Sequence, residues 1–464
     1  MATFSLENFG CRATDADAGA LCRELLAKGL TQTGEHAMAD FVVLNTCTVT
    51  AAADAQAREA VRKIHRANPA ARILVSGCYA QRAPEELAAI DGVAWVVGNS
   101  HQTEIPEIVA RLAAGAEASP VGARTSSFVP LGELVGEAMS LARGPAKILT
   151  GDIFLQTVAP IAAGTMIAGR TRPILKIQDG CNNRCAYCVI PFVRGRSRSL
   201  HPDSVLREVR ALVAEGAREI VLSGINLGSY GRDLAPRTDL LSVVRGILVE
   251  TALERLRFSS IEPHDICEDL IAFVGSSSRL ARHFHIPLQS GSDRILRAMH
   301  RWYRTEFYAE RVMLIRRLLP DAAVGADMIV GFPGETDADF QATVEFVERL
   351  PLAYLHVFSF SERPGTEAAS LGSPVPAAVI RERARALRAV GAKKAAEFRA
   401  SQAGRVLRAL TLSRGGADWT EALAGNYLKV RIAGRHPANE WHEVVFESED
   451  RRESLTSGGF SFRK

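Results

Sequence analysis

The chain has 464 residues, more than a single hydrophobic core usually accommodates, so we expect more than one domain. Hydrophobic residues make up 47% and charged residues 23%, which is typical of a folded globular protein and excludes a disordered one. The formal net charge of +4 is too small to indicate a nucleic-acid partner by itself.

The N-terminus has neither the basic start nor the apolar run of a secretory signal. The one long apolar stretch, residues 153–169, contains Gln156, Thr157 and Pro160 and is shorter than the roughly 20 residues of a spanning helix. We therefore expect a cytoplasmic protein without a membrane span. The chain has eight cysteines, and in that reducing compartment the grouped ones would serve metal or redox chemistry rather than disulfides.

The N-terminal region, residues 1–112, alternates apolar strands with helices. Strands are predicted at 2–6, 41–44, 72–75 and 93–97, and helices at 15–28 and 51–67. This alternation predicts a small parallel α/β domain. Residues 113–171, rich in Ala, Gly, Ser and Pro, show poor periodicity and are interpreted as a linker.

A second alternation fills residues 172–400. Strands are predicted at 174–178, 219–223, 257–261, 283–287, 324–330 and 354–358, with helices at 203–215, 305–318 and 337–350 among the intervening segments. Six consecutive β/α units predict an incomplete (β/α)6 barrel rather than a closed eight-stranded one. One long helix is expected from residue 376 to about 401.

The C-terminal region, residues 401–464, has short β-type runs at 406–412, 427–432 and 442–446 punctuated by glycines, which predicts a small β-barrel. Tyr427 or Trp441 could stack on a nucleic-acid base. Basic residues here could contact phosphates, although a solvated charged face is the ordinary alternative; they are Arg405, Arg408, Arg414, Lys429, Arg431 and Arg435.

A CxxxCxxC run, formed by Cys181, Cys185 and Cys188, follows the first predicted barrel strand. Three thiolates on one short loop can hold three irons of a 4Fe-4S cluster and leave the fourth iron open, and active sites of barrels lie at this end of the strands. A zinc site is the alternative, but it needs a fourth ligand nearby. The nearest candidate, His201, is separated from the loop by Pro191 and an arginine-rich stretch.

Three further cysteines, Cys11, Cys47 and Cys78, each follow a predicted strand of the N-terminal region. Because the carboxyl ends of parallel strands line one edge of a sheet, these thiols can converge on a second cluster. A buried cysteine is more often a small core residue, which is our interpretation of Cys22 and Cys267. For the three edge cysteines the residues alone leave both possibilities open.

These cysteine motifs, including the sequence NTCTVT around Cys47, resemble those of the radical S-adenosylmethionine (SAM) methylthiotransferases. Residues 176–180, 285–292, 331–335 and 361–366 are similar as well, so the resemblance covers nearly the whole chain apart from the linker. NTCTVT and residues 190–199 look most like the branch that modifies threonylcarbamoyladenosine beside the anticodon of tRNA. The end of the chain, most clearly 425–430, resembles the RNA-binding TRAM domain, whereas residues 12–17 depart from the family, which usually has an Asn and a Glu there.

The resemblance implies two 4Fe-4S clusters, one on Cys11, Cys47 and Cys78 and one on the CxxxCxxC loop. The loop cluster would bind SAM and cleave it to a radical that attacks C2 of adenosine 37. The auxiliary cluster would supply sulfur, and a second SAM the methyl group. The implied partners are tRNA and an electron donor such as flavodoxin or ferredoxin. Catalysis of this kind belongs to the cofactors, because no side-chain base removes an aromatic C–H proton at a useful rate.

Residues at the ends of later barrel strands are predicted to contact the cofactor or substrate. They are Gly224, Asn226, Glu262, Gln289 and Gly331, and plain β/α turns are the alternative for the glycines. Asp327 is expected to satisfy barrel backbone instead. Phosphate contacts are predicted for Arg194, Arg196 and Arg198.

Two other functions remain open at this point. The same chemistry could act on isopentenyladenosine 37 or on an aspartate of a ribosomal protein. A rival of another class is a non-catalytic iron-sulfur RNA-binding protein. The open iron of a three-cysteine loop argues against that rival, because a purely structural cluster gains nothing from a missing ligand.

Overall fold

The computed structural model describes residues 2–115, 146–160 and 171–447. These divide into two compact units. The first comprises the described residues up to 160 together with 174–183 and 188–200, and the second comprises 171–173, 184–187 and the described residues from 201 onward. Each unit is described separately below.

The first unit is built around a parallel sheet whose described strands lie in the order β2-β1-β3-β4-β5-β6. The strands are β1 (Thr3–Asn8), β2 (Thr31–Gln32), β3 (Phe41–Thr46), β4 (Arg72–Gly77), β5 (Val93–Gly98) and β6 (Lys147–Leu149). The helices are α1 (Arg12–Ala27), α2 (Ala51–Ala67), α3 (Cys78–Arg82), α4 (Pro84–Ala88) and α5 (Ile105–Ala113). The predicted parallel α/β domain is confirmed, and α2 has the predicted bounds because Thr50 caps its first turn by accepting from the Ala53 amide.

Both faces of this sheet are buried, as the continuous apolar runs of its strands require. Along β3, Val42 and Leu44 join one hydrophobic cluster, while Phe41 and Val43 join the other. Strand β6 lies within the region interpreted as a linker; three residues are too short for a periodic pattern to reveal. Most of that region, at 116–145 and 161–170, lies outside the described residues.

The first unit also contains the start of the second alternation. Strand β7 (Ile174–Asp179) pairs antiparallel with β8 (Arg198–Ser199), and the helix α6 (Ile190–Arg194) lies between them in sequence. Ile174 packs against Ala16 and Ala20 of α1, and Val193 packs against Cys78. These contacts group residues on both sides of the CxxxCxxC loop with the N-terminal sheet.

The second unit continues the alternation of parallel strands and helices. Its strands are β9 (Glu219–Gly224), β10 (Arg255–Phe258), β11 (His283–His285), β12 (Ala323–Val330) and β13 (Tyr354–Ser359). Its helices are α7 (Pro202–Ala214), α8 (Leu240–Glu250), α9 (Glu268–Ser276), α10 (Asp293–Ala298), α11 (Thr305–Leu318) and α12 (Asp337–Arg349). Strands β9 and β10 pair in parallel, as do β11, β12 and β13, and helix α11 has the predicted bounds.

The end of the second unit is a long helix followed by an antiparallel sheet. Helix α13 (Ala377–Ser401) precedes β14 (Val406–Gly415), β15 (Trp419–Ala424), β16 (Lys429–Ala433) and β17 (Trp441–Val445), which lie in the order β16-β15-β14-β17. The predicted small β-domain is confirmed. Strand β15 was not predicted, because its sequence, WTEALA, lacks a regular alternation of apolar and polar residues.

Short 3-10 helices complete the described secondary structure, at His36–Met38, Asn99–Glu104, Ile153–Leu155, Leu227–Ser229, Pro263–Asp265 and Glu367–Ser370. Among the described residues, no helix has both the length and the apolar composition needed to cross a bilayer. Cys22 is buried, as expected of a core residue. The same interpretation of Cys267 is wrong, because this residue is exposed at the N-terminus of α9.

Candidate iron-sulfur and cofactor site

Three cysteines converge at one edge of the first unit's sheet. Cys11 follows β1, Cys47 follows β3, and Cys78 begins α3 directly after β4. Strands β1, β3 and β4 are neighbours, so their carboxyl ends bring the three thiols together. Cys47 and Cys78 are buried and Cys11 is partly exposed, and all three are free thiols.

The electrostatics of these thiols show their proximity. Burial raises the pKa of Cys47, and the neighbouring Cys11 and Cys78 raise it further. Burial likewise raises the pKa of Cys78, while the guanidinium of Arg194 opposes that rise. A bound metal cation displaces the protons of such thiols and stabilises the thiolates, which would otherwise repel one another. The donor set therefore fits a 4Fe-4S cluster with three cysteine ligands.

Gly10 allows the Cys11 loop to approach Cys47. Its φ of 134° lies in a region that side-chain-bearing residues rarely adopt. A Cβ atom at this position would lie 2.6 Å from Cys47 Cβ and 3.2 Å from its Sγ. Only glycine permits this close approach without displacing a candidate ligand.

A buried arginine lies against the same three-cysteine site. Arg194, which ends α6 and is 1% exposed, donates through Nε to Cys78 Sγ at 3.3 Å. Its other nitrogens donate to Asp17 at 2.8 Å and Asp179 at 3.1 Å. The predicted phosphate contact is therefore wrong for Arg194.

The neighbouring arginines differ from each other. Arg198 is buried and donates to the Arg194 carbonyl at 2.8 Å, so its predicted phosphate contact is wrong as well. Arg196 is exposed, and its phosphate contact stays a prediction.

Lys176 completes a buried ionic network with Arg194, Asp17 and Asp179. Its ammonium pairs with Asp17 and, at 2.8 Å, with Asp179. Burial raises the pKa of Asp179, but Lys176 and Arg194 outweigh this effect and hold it well below its usual range. Sequence reasoning missed this network; the one available signal was Asp17, a carboxylate on the alanine-rich face of α1.

Backbone amides hold the start of the CxxxCxxC loop in place. The amide of Cys181 donates to the Gly195 carbonyl at 3.0 Å, and the amide of Asn183 donates to Cys181 Sγ at 3.4 Å. Gly180 has a φ of 68°, and a Cβ there would collide with the Arg196 carbonyl. All three loop cysteines are partly exposed, as ligands of a cluster that must meet a cofactor should be.

Residues 184–187 of the loop group with the second unit, where Arg301 contacts Cys185. The Arg301 guanidinium lies 3.4 Å from Cys185 Sγ, pairs with Glu262, and donates to the Tyr303 hydroxyl at 3.1 Å. The Arg301 side chain therefore lies between Glu262 and Cys185 and contacts both. The Glu262 carboxylate is engaged in this ion pair. Sequence reasoning did not identify Arg301.

The remaining predicted contact residues lie at strand ends of the second unit. Gly224 ends β9, and the Asn226 carbonyl accepts from Ser229 at the start of a 3-10 helix. Gln289 has a φ of 70°. Its backbone amide donates to the Asp327 backbone carbonyl at 2.8 Å. Gly331 has a φ of 80° at the end of β12. Their roles in binding stay predictions.

Asp327 does not serve the barrel backbone through its side chain, so that expectation is wrong. Its carboxylate pairs with His285 Nε2 at 2.9 Å and with His356 Nδ1 at 3.2 Å. Two strands on either side of β12 thus supply imidazoles to one carboxylate.

Within the second unit, a buried ion cluster on β9 and β10 anchors the C-terminal sheet. Glu219 on β9 pairs with Arg257 at 2.8 Å and with Arg255 at 2.5 Å. These arginines donate onward to carbonyls of and beside β15: Arg255 to Leu423 at 2.8 Å, and Arg257 to Ala424 at 3.0 Å. Burial raises the pKa of Glu219, but the two arginines outweigh it and lower the value to about 2.

Both aromatic residues predicted to stack on a base are already packed. Tyr427 stacks on His283 with ring centroids 4.4 Å apart, and Trp441 lies under the guanidinium groups of Arg255 and Arg408, 4.3 and 4.1 Å from its ring centre. Both rings are nevertheless partly exposed, so base stacking stays a prediction for each of them. Arg405, Arg414, Lys429 and Arg435 remain exposed for phosphate contacts.

Comparison with known families agrees with this arrangement. The profile of the Radical SAM superfamily matches residues 175–347, and that described as "Uncharacterized protein family UPF0004" matches residues 3–98. Threonylcarbamoyladenosine tRNA methylthiotransferase MtaB of Aquifex aeolicus is 34% identical over 93% of this chain and 96% of its own length. The chain belongs to the radical SAM tRNA methylthiotransferase family.

Other relatives of this methylthiotransferase carry two different names. MtaB of Bacillus subtilis is 34% identical over 88% of this chain and 84% of its own length. The tRNA-2-methylthio-N(6)-dimethylallyladenosine synthase of Thermobifida fusca is 35% identical over 82% of this chain and 72% of its own length. The family is thus shared, while the modified adenosine differs between relatives.

Among solved structures, the radical SAM methyltransferase TsrM of Kitasatospora setae has a similar fold. The two structures superpose with a TM-score of 0.54 at 16% sequence identity, and the alignment covers 79% of this chain and 77% of the TsrM chain. The predicted fold class and family are confirmed. Radical SAM enzymes use a 4Fe-4S cluster with SAM, and methylthiotransferases carry two clusters, so the predicted cofactors are confirmed as well.

Proposed function

We propose that this methylthiotransferase converts N6-threonylcarbamoyladenosine at position 37 of tRNA to its 2-methylthio derivative. The observation that carries the proposal is similarity over almost the full length to two enzymes named for that substrate. A relative named as a dimethylallyladenosine synthase has comparable identity. Dimethylallyladenosine, which is the isopentenyladenosine named above, is therefore the second candidate.

The proposed ligands divide between the two clusters. Cys11, Cys47 and Cys78 would hold the auxiliary cluster, which is supported by their convergence at one sheet edge. Cys181, Cys185 and Cys188 would hold the SAM-binding cluster, which is supported by their spacing and partial exposure. When bound, the clusters and SAM supply the electron, the sulfur, the radical and the methyl group.

The polypeptide would position these groups and the nucleic acid. Residues 1–112 would house the auxiliary cluster, 172–400 the radical chemistry and 401–464 the tRNA contacts, with 113–171 joining the first two. Gly224, Asn226, Glu262, Gln289 and Gly331 would line the SAM and substrate space. We place the reaction in the cytoplasm, with a flavodoxin or ferredoxin as electron donor.

The substrate is tested with anaerobically reconstituted enzyme and anticodon stem-loops carrying either threonylcarbamoyladenosine or isopentenyladenosine. Nucleosides are digested and measured by mass spectrometry. We expect the methylthio product from the threonylcarbamoyl substrate to form at least about tenfold faster, equivalent to roughly 1.4 kcal/mol of discrimination. The reverse preference would transfer the assignment to isopentenyladenosine.

The cluster assignment is tested in the same assay by following 5'-deoxyadenosine. Cys181→Ala should abolish SAM cleavage. Cys47→Ala should retain cleavage and lose sulfur insertion. Cys267→Ala, at an exposed cysteine, is the matched control and should change neither. Absence of SAM cleavage in fully reconstituted enzyme would instead favour the non-catalytic iron-sulfur RNA-binding protein.

A further inference from the structure

Three neighbouring strands of the second unit each contribute one potential metal ligand. His285 ends β11, Asp327 lies within β12, and His356 lies within β13. His285 Nε2 is 2.9 Å and His356 Nδ1 is 3.2 Å from the same carboxylate oxygen, Asp327 Oδ1. The three ligand atoms all lie within 4.8 Å of one another.

The strand register places the β12 and β13 ligands on the sheet face turned away from α13. Leu355 contacts Gly391 of that helix, so Tyr354 and His356, on either side of it, project to the opposite face. Asp327 is the register partner of His356 and lies beside it. The side chains of Asp327 and His356 are 22% and 27% exposed, so the group is accessible from one side.

A tyrosine fixes the orientation of the most buried ligand. The Tyr354 hydroxyl lies 2.9 Å from His285 Nδ1 and 2.7 Å from His283 Nε2. Gly325 makes room for this ring, because a Cβ there would collide with it. Imidazoles that bind metals typically engage their second nitrogen in this way, which sets the tautomer and holds the ring in place.

We propose that His285 Nε2, Asp327 and His356 Nδ1 bind one divalent transition-metal ion, with Zn²⁺ as the representative. Metal–ligand bonds of about 2.0–2.1 Å separate tetrahedral ligands by roughly 3.4 Å, close to the distances between these imidazole nitrogens and the carboxylate. Two imidazoles and one carboxylate also form a ligand set that first-row metals prefer. The ion would be additional to the two clusters.

The hydrogen-bond donors and acceptors around the three ligands are compatible with metal binding. Both ligating nitrogens must be unprotonated, so His285 would carry its proton on Nδ1 and donate it to Tyr354. The Tyr354 hydroxyl would then donate to His283 Nε2, at the distances observed. Three protein ligands leave at least one position for water or an oxygen donor of a substrate.

The test uses anaerobically reconstituted holoenzyme, desalted and then equilibrated with Zn²⁺. Bound zinc and retained iron are measured together by elemental mass spectrometry, so that zinc displacing cluster iron is recognised. The variants are Asp327→Asn, His356→Gln and Tyr354→Phe. His264→Gln is the matched control, because His264 is an exposed histidine of the same unit.

We expect one tightly bound zinc per chain in the wild type with unchanged iron. Asp327→Asn and His356→Gln should lose it, Tyr354→Phe should weaken zinc affinity about tenfold, and His264→Gln should keep it. Wild-type enzyme that binds no zinc, or that binds it no better than Asp327→Asn with equal iron content, would overturn the proposal.

Discussion

Replacing Arg194 should change the reduction potential of the auxiliary cluster. Its Nε lies 3.3 Å from Cys78 Sγ, and the side chain is buried. A unit charge about 5 Å from a cluster contributes roughly 3 kcal/mol at an effective dielectric constant of about 20. This corresponds to roughly 140 mV for a one-electron couple. Because the positive charge favours the reduced, more negative cluster, Arg194→Gln should lower the potential.

The measurement requires a protein that carries only the auxiliary cluster. Triple replacement of Cys181, Cys185 and Cys188 by alanine provides it, and redox titration followed by electron paramagnetic resonance gives the potential. Arg194→Gln should lower it by roughly 100–150 mV. Arg196→Gln removes an exposed charge two residues away and should shift it by less than about 20 mV, because solvent screens that charge.

Stability provides a second readout of the same change. Removing Arg194 leaves Lys176 as the remaining partner of Asp17, while Asp179 keeps Lys176 and, at 3.9 Å, Arg198. The loss should destabilise the first unit by about 3–5 kcal/mol. Arg194→Lys keeps the charge but loses the forked geometry, so it should retain most of the potential and part of the stability. An unchanged potential in Arg194→Gln with full iron content would refute the reasoning.

Two further substitutions test packing and charge. Gly10→Ala should lose the auxiliary cluster while SAM cleavage persists, because its Cβ would meet Cys47; Gly29→Ala has a similarly positive φ but open space and should keep both clusters. Iron content and 5'-deoxyadenosine formation distinguish them, and a fully loaded Gly10→Ala would contradict the packing argument. Glu219→Gln should destabilise the second unit by about 3–5 kcal/mol in thermal unfolding, and equal melting temperatures would contradict this. Because folding lowers the pKa of Glu219 to about 2, its contribution to stability is present above pH 4.5 and is lost as the pH falls toward 2. The wild type should therefore approach the stability of Glu219→Gln across that range.

Sequence reasoning predicted correctly the placement of residues that directly follow a strand. The apolar runs before Cys47 and Cys78 defined parallel strands, and parallel strands bring their ends to one edge whatever the rest of the chain does. It failed where contacts between residues remote in sequence decide whether a side chain is buried. Nothing local distinguishes Arg194, buried against Cys78, from the exposed Arg196 two residues later.

The C-terminal region shows the same limit. Tyr427 and Trp441 are the aromatic residues expected of a base-stacking surface, yet His283 packs on Tyr427, and Arg255 and Arg408 pack on Trp441. His283 and Arg255 are remote from these rings in sequence, and Arg408 meets Trp441 only because β14 pairs with β17. The sequence of β15, WTEALA, also lacks the alternation of apolar and polar residues by which strands are recognised.

Among the described residues, the N-terminal sheet ends on each side in a very short strand. Strand β2 has two residues and β6 has three, whereas the four strands between them have six each. A short outer strand offers few free backbone amides and carbonyls to a strand from another molecule. The sheet that brings the three cysteines together is thereby protected from edge-to-edge aggregation. Loss of β6 would expose the full length of β5, including Trp95, Val96 and Val97, to such pairing.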